Sequence, residues 1–155
     1  MIFFPWEAGF RPPFCPMGDM AMPYIARLYF KTAIIFLIIG ISMGLQMSIS
    51  GVHNVTGAHA HTNLLGWVTM ALFGGYYALN PAKATTRLAT VQYGVFTLGT
   101  AIMVPSLYLM LQGYEALEPL VAVSSLIAFL GVILFAVVVY ARDVEASVGA
   151  TRPAV

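Results

Sequence analysis

The chain has 155 residues, 60% of them hydrophobic and 8% charged, and Lys plus Arg (7) against Asp plus Glu (6) leave a net charge of +1. Soluble domains carry about a quarter charged residues, so the composition excludes an ordinary soluble protein and points to an all-α integral membrane protein. No basic cluster is present to hold nucleic acid, and the single cysteine, Cys15, excludes an internal disulfide.

Residues 1–23 hold Pro5, Pro12, Pro13, Pro16 and Pro23 among Trp6, Phe10 and Phe14. Repeated proline removes backbone donors and forbids a continuous helix, so this stretch reads as an irregular segment at the membrane interface. It lacks the small-residue cleavage site of a signal peptide. Cys15, Met17, Met20 and Met22 within it are soft groups suited to Cu(I). The plainer reading is that these methionines fill packing gaps.

Four runs then approach or exceed the roughly 20 apolar residues that a spanning helix needs: 24–50, 57–79, 88–111 and 119–141. Residues 33–41 and 132–139 are continuously apolar, without the alternation of a barrel strand. The expected organisation is a four-helix transmembrane domain over 24–143 and a disordered tail over 144–155. In the first span Arg27 and Lys31 snorkel toward headgroups, and Gly40 and Gly44 permit close helix approach. Thr56 is the expected N-cap of the second span. Tyr76 and Tyr77 fall where an interfacial aromatic belt is expected, and Asn80-Pro81 ends that span. The third carries Gln92, Tyr93, Thr97, Thr100 and Ser106, with Pro105 in its interior. The fourth is the most apolar and is placed largely against lipid.

Lys and Arg collect on cytoplasmic flanks. Arg11, Arg27 and Lys31 precede the first span, Lys83 and Arg87 join the second to the third, and Arg142 and Arg152 follow the fourth. The other two connections have neither residue. Both termini are therefore predicted in the cytoplasm, with the protein multi-pass in the cell inner or plasma membrane.

All three histidines lie between His53 and His61, at the entrance to the second span. A metal-capable side chain in a spanning helix marks a functional site by default. Residues two apart on an α-helix are about 200° apart, so His59 and His61 face different sites. His61 shares its stripe with Leu64, Leu65, Val68 and Leu72, an apolar wall suited to a porphyrin. His59 shares its stripe with Thr62, Asn63, Gly66 and Met70. Neutral imidazole is a common haem ligand, with Met103, Met110 or a histidine of another subunit as the second. On the residues alone, a second reading stands beside this one, in which both histidines only hydrogen-bond a neighbouring helix.

The run His61-Thr62-Asn63-Leu64-Leu65, then Trp67, Phe73-Gly74-Gly75-Tyr76-Tyr77 and Asn80-Pro81, resembles the second helix of the catalytic subunit of the haem-copper oxidase superfamily. It is most similar to the nitric oxide reductase branch. Leu28-Tyr29-Phe30-Lys31, leading to Gly40 and Gly44, is similar to that family's first helix, and the likeness fades after Pro81. The resemblance implies that His61 is an axial ligand of a low-spin haem b near the outer face. Thr62 and Asn63 would then give it hydrogen-bonding support. His59-Ala60-His61 is similar instead to the histidine pair of the family's tenth helix, where one histidine serves each haem. The histidines of the family's copper site have no counterpart here, and the chain is far shorter, like a single four-helix unit.

The expected function is a membrane haem b protein acting in electron transfer or in binding or reducing a diatomic gas such as O2 or NO. If it is an enzyme, the resemblance implies an oxidoreductase of the oxidase or nitric oxide reductase type. One alternative is a copper-handling membrane protein using His53, His59 and His61, with Cys15 and the methionines as further ligands; another is a non-catalytic assembly subunit of a respiratory complex. The expected partners are the lipid bilayer, a redox partner and further copies of the chain. A homotrimer is favoured over a dimer because the family's subunit arranges its helices in three four-helix arcs. Gly40, Gly44, Gly66, Gly74 and Gly75 are the small residues expected to admit such an interface.

Overall fold

The computed structural model describes residues 22–141. The proline-rich segment with Cys15, Met17 and Met20, and the tail with Arg142 and Arg152, lie outside the described residues. Among the described residues all regular structure is helical. Three helices are long and apolar enough to cross a membrane: Tyr24–Ser50, Arg87–Leu111 and Glu115–Tyr140.

Helix α1 is Tyr24–Ser50. It stops because Gly51 takes a left-handed conformation (φ 69°) that returns its N–H to Met47 O, the usual glycine termination. Helix α2 (Thr56–His61) runs without a break into a π-helical stretch (Thr62–Thr69) and then α3 (Met70–Leu79). Thr56 is not the cap expected of it. Val55 occupies that position, and the Thr56 hydroxyl donates to His53 O at 2.7 Å. Asn80 leaves helical geometry ahead of Pro81, which opens the single turn α4 (Pro81–Ala84). Thr86 caps α5 (Arg87–Leu111) by accepting from the Ala89 N–H at 3.2 Å. A tight turn through Gly113 (φ 106°) and a 3-10 turn (Glu115–Leu117) deliver α6 (Glu118–Tyr140).

Helix α1 lies along the α2–π–α3 run, and small residues set how closely. A Cβ on Gly40 would stand 2.6 Å from the Asn63 amide, one on Gly66 2.5 Å from the Phe36 ring, and one on Gly74 3.1 Å from Tyr29. Gly44 faces the His59 ring. Of the glycines expected at a subunit interface, these four are instead used inside the chain. Gly75 alone has nothing within 4 Å. Helices α5 and α6 meet in the same manner, with Gly99 against the Ala128 backbone and Gly131 against Phe96. Most of the outward surface of α6 is exposed and apolar.

At the end where α1 begins, the helices converge on an aromatic core. Phe73 stacks on Phe135 at 3.9 Å, and Tyr29 sets its ring edge-on to Tyr93 at 4.8 Å. Gln92 is fully buried among them. Its Oε1 accepts from Tyr29 at 2.6 Å and Tyr77 at 3.2 Å, while Nε2 donates to Gly131 O at 3.2 Å. Tyr77 therefore sits in the core and not in an interfacial belt, whereas Tyr76 is half-buried and accepts from Lys83 Nζ at 3.2 Å. Between α1 and α5 lies an apolar groove of about 750 Å³, bridged toward its far end by Tyr108, whose hydroxyl donates to Gln46 Oε1 at 2.8 Å.

Candidate functional site

The second helical run presents two faces, and the histidines divide between them. Ala58, Thr62, Gly66 and Met70 are buried, whereas His61, Leu64, Val68 and Leu72 are exposed. His59 is half-buried against α1. Its Nδ1 donates to Gly40 O at 2.9 Å, a carbonyl within reach because glycine lets the helices approach. Asn63 donates to His59 O at 2.9 Å. The Asn63 amide nitrogen is also 3.4 Å from His59 Nδ1. With both nitrogens acting as donors, that approach is a packing contact and leaves the Gly40 bond to fix the ring. The hydroxyl of Thr62 is fully buried and donates to Ala58 O at 2.7 Å.

His61 faces the other way. Its Nδ1 donates to Gly57 O, one turn earlier, at 2.8 Å. In the neutral ring that bond places the proton on Nδ1 and leaves Nε2 as the lone-pair nitrogen, the form in which imidazole ligates metal. The ring lines a cleft of about 210 Å³ with Leu65, Phe96, Met103 and Phe129. Met103, one of the two methionines considered as a second axial ligand, is thus in the same cleft. Met110 lies elsewhere, in a surface depression with Glu115 and Glu118.

Neither Thr62 nor Asn63 hydrogen-bonds the His61 ring. Both point toward α1, and the residue that holds the His61 ring is Gly57, whose carbonyl lies one helical turn before it. Sequence reasoning missed that role, although the i−4 spacing is visible in Gly57-Ala58-His59-Ala60-His61. His53 stays in the loop, exposed, with Nδ1 3.1 Å from Gly51 O. Among the described residues no three of His, Cys, Asp and Glu converge, so the three histidines do not make one metal centre.

The His61 cleft offers one imidazole and one thioether among mostly apolar walls, with Ser125 also in its lining. Its volume is below the roughly 300–1,000 Å³ of sites that bury a drug-sized ligand. The cleft alone therefore does not enclose a porphyrin, and the exposed apolar residues Leu64, Val68 and Leu72 lie beside it on the outward side of the same helical run as His61.

No family model matches the chain, and no curated protein or solved structure is matched by it.

Proposed function

We propose that the chain is a four-span membrane protein that holds haem b through His61 and serves in electron transfer or in binding a diatomic gas. The observation that carries this reading is the His61 ring, tied at Nδ1 to Gly57 O and set in an apolar cleft that also contains Met103. Haem would supply a one-electron couple or an open position for a gas molecule. The chain's own residues orient the imidazole and give it apolar surroundings.

The α2–π–α3 run supplies the fourth span in this reading. Its segments of 6, 8 and 10 residues, at about 1.5 Å per residue, suffice for a hydrocarbon core about 30 Å thick. The termini are placed in the cytoplasm on the distribution of Lys and Arg. A small cleft beside an exposed apolar strip needs a second wall, and we place that wall on another copy of the chain, as a trimer in preference to a dimer. Met103 or a histidine of the neighbouring copy would supply a second ligand to the haem, and a redox partner would be needed for electron transfer.

A reduced-minus-oxidised spectrum of the detergent-purified protein tests the haem. The wild type should show a Soret band with resolved α and β bands, and His61→Ala should lose them or become high-spin. An unchanged spectrum in His61→Ala sinks the assignment. Native mass spectrometry tests the assembly. A monomer carrying its full haem complement would end the shared-site reading, and a stable dimer would replace the trimer.

A further inference from the structure

His59 does not line the His61 cleft and is turned against α1. In the neutral ring Nδ1 carries the proton given to Gly40 O, and Nε2 holds a lone pair that accepts no hydrogen bond among the described residues. A histidine anchored at one nitrogen by a carbonyl is prepared to ligate metal with the other.

The seam in which it lies is lined with sulfur. Met43 and Met47 are buried one turn apart on the α1 face that also carries Gly40. Their sulfurs are turned across to the second helical run. Met47 Sδ is 3.6 Å from Thr56 Oγ1, and Met43 Sδ is 3.7 Å from Thr62 Oγ1. Both hydroxyls direct their protons more closely to carbonyls, at 2.7 Å to His53 O and Ala58 O respectively. The thioether lone pairs thus remain available.

His59 stands midway between those threonines, three residues from each. At about 1.5 Å rise per residue, each sulfur contact is displaced about 4.5 Å along the helix from His59. Its ring rests on Gly44, between the two methionines of α1, with Cε1 3.1 Å and Nε2 3.9 Å from where a Cβ would stand. One imidazole is therefore bracketed by two thioethers. No Asp or Glu occurs anywhere from Tyr24 to Asn80, so a hard divalent cation has no carboxylate here. Neutral sulfur and imidazole donors select a soft monovalent ion.

We propose that Met43, Met47 and His59 form a Cu(I) site in the seam between α1 and α2, separate from the His61 cleft and independent of His53. Closing it requires rotation of two unbranched side chains, which thioethers readily permit.

The test uses the full chain in detergent, in a Cys15→Ser background, titrated with Cu(I) against a chromogenic Cu(I) chelator. Met43→Leu/Met47→Leu is titrated beside it, since exchanging Met for Leu conserves volume. The parent should withdraw one Cu(I) per chain from the chelator, and the double variant should bind at least about ten-fold more weakly with its haem spectrum unchanged. A parent that withdraws none, or a double variant that binds as tightly, overturns the proposal. If the double variant does not fold, copper K-edge absorption on the loaded parent decides. One nitrogen and two sulfur neighbours are expected, and a coordination shell without sulfur overturns the site.

Discussion

Replacing Gln92 with leucine removes the group on which α1, α3, α5 and α6 are tied together. The side chain is fully buried, so water cannot take over its bonds. Three are lost, those from Tyr29 at 2.6 Å and Tyr77 at 3.2 Å and that to Gly131 O at 3.2 Å. Side-chain hydrogen bonds inside membrane proteins average about 0.6 kcal/mol, which puts the loss of three at about 2 kcal/mol. Leucine nearly conserves the volume, so the cavity contribution is small. The larger effect is on the tyrosines, because Tyr29 and Tyr77 keep hydroxyls with no acceptor, and an unsatisfied buried donor costs about 1–3 kcal/mol.

The assay is unfolding in mixed micelles followed by far-ultraviolet circular dichroism, on Gln92→Leu, Tyr29→Phe and the pair. Tyr29→Phe alone should cost less than Gln92→Leu, since it removes one bond and leaves no stranded donor on the ring. In the double variant the stranded hydroxyl of Tyr29 is gone. Its destabilisation should therefore fall short of the sum of the two single effects by about 1 kcal/mol. A Gln92→Leu protein within about 0.5 kcal/mol of wild type, or strictly additive effects, would refute the assignment of Gln92 as the junction.

Gly99→Ala drives a methyl into the Ala128 backbone and should destabilise by about 1–3 kcal/mol, whereas Gly75→Ala meets nothing within 4 Å and should be neutral or slightly stabilising; equal melting temperatures for the two would contradict the α5–α6 packing. Gly66→Val should be worse tolerated than Gly66→Ala, because a Cβ already stands 2.5 Å from the Phe36 ring and valine adds two further methyls; loss of folded protein on size-exclusion chromatography is the expected readout. Cysteine at His53, after Cys15→Ser, should react with an impermeant thiol reagent added outside intact cells, and labelling only after lysis would reverse the proposed orientation.

Helix content and the antiparallel order of the helices could be read from composition, because long apolar runs separated by short polar connections leave little choice. What each side chain meets was less legible. Gly40, Gly44, Gly66 and Gly74 announce that something approaches closely, but spacing cannot say whether it belongs to the same chain, and here it is Asn63, His59, Phe36 and Tyr29. Tyr77 looks interfacial because it lies near the end of a span. Its buried place depends on Gln92, fifteen positions later on the next long helix. The separation of His59 from His61 was legible, since it rests only on the angle between positions two apart. The Met43–Met47 pair passed unnoticed because methionine on an apolar helix reads as packing until the facing helix is known.

The π-helical stretch gives the run after the histidines its particular form. Ala58, Thr62, Gly66 and Met70 are all buried, and they follow one another at intervals of four. On a regular α-helix each such step overshoots a whole turn by about 40°, so three steps would carry the face about 120° away from α1. A π-turn closes its hydrogen bond one residue later, which widens the turn and takes up that overshoot. The side chain of Thr69 reflects the same register by donating to Leu64 O, five residues back, at 2.8 Å. The buried face therefore stays on α1 from His59 to Met70, and Gly66 arrives opposite Phe36. By the same register Leu64, Val68 and Leu72 remain outward and exposed, as His61 is. The histidines themselves precede this stretch, on α2, where His59 packs against Gly40 and Gly44 and His61 is exposed on the other side of the helix.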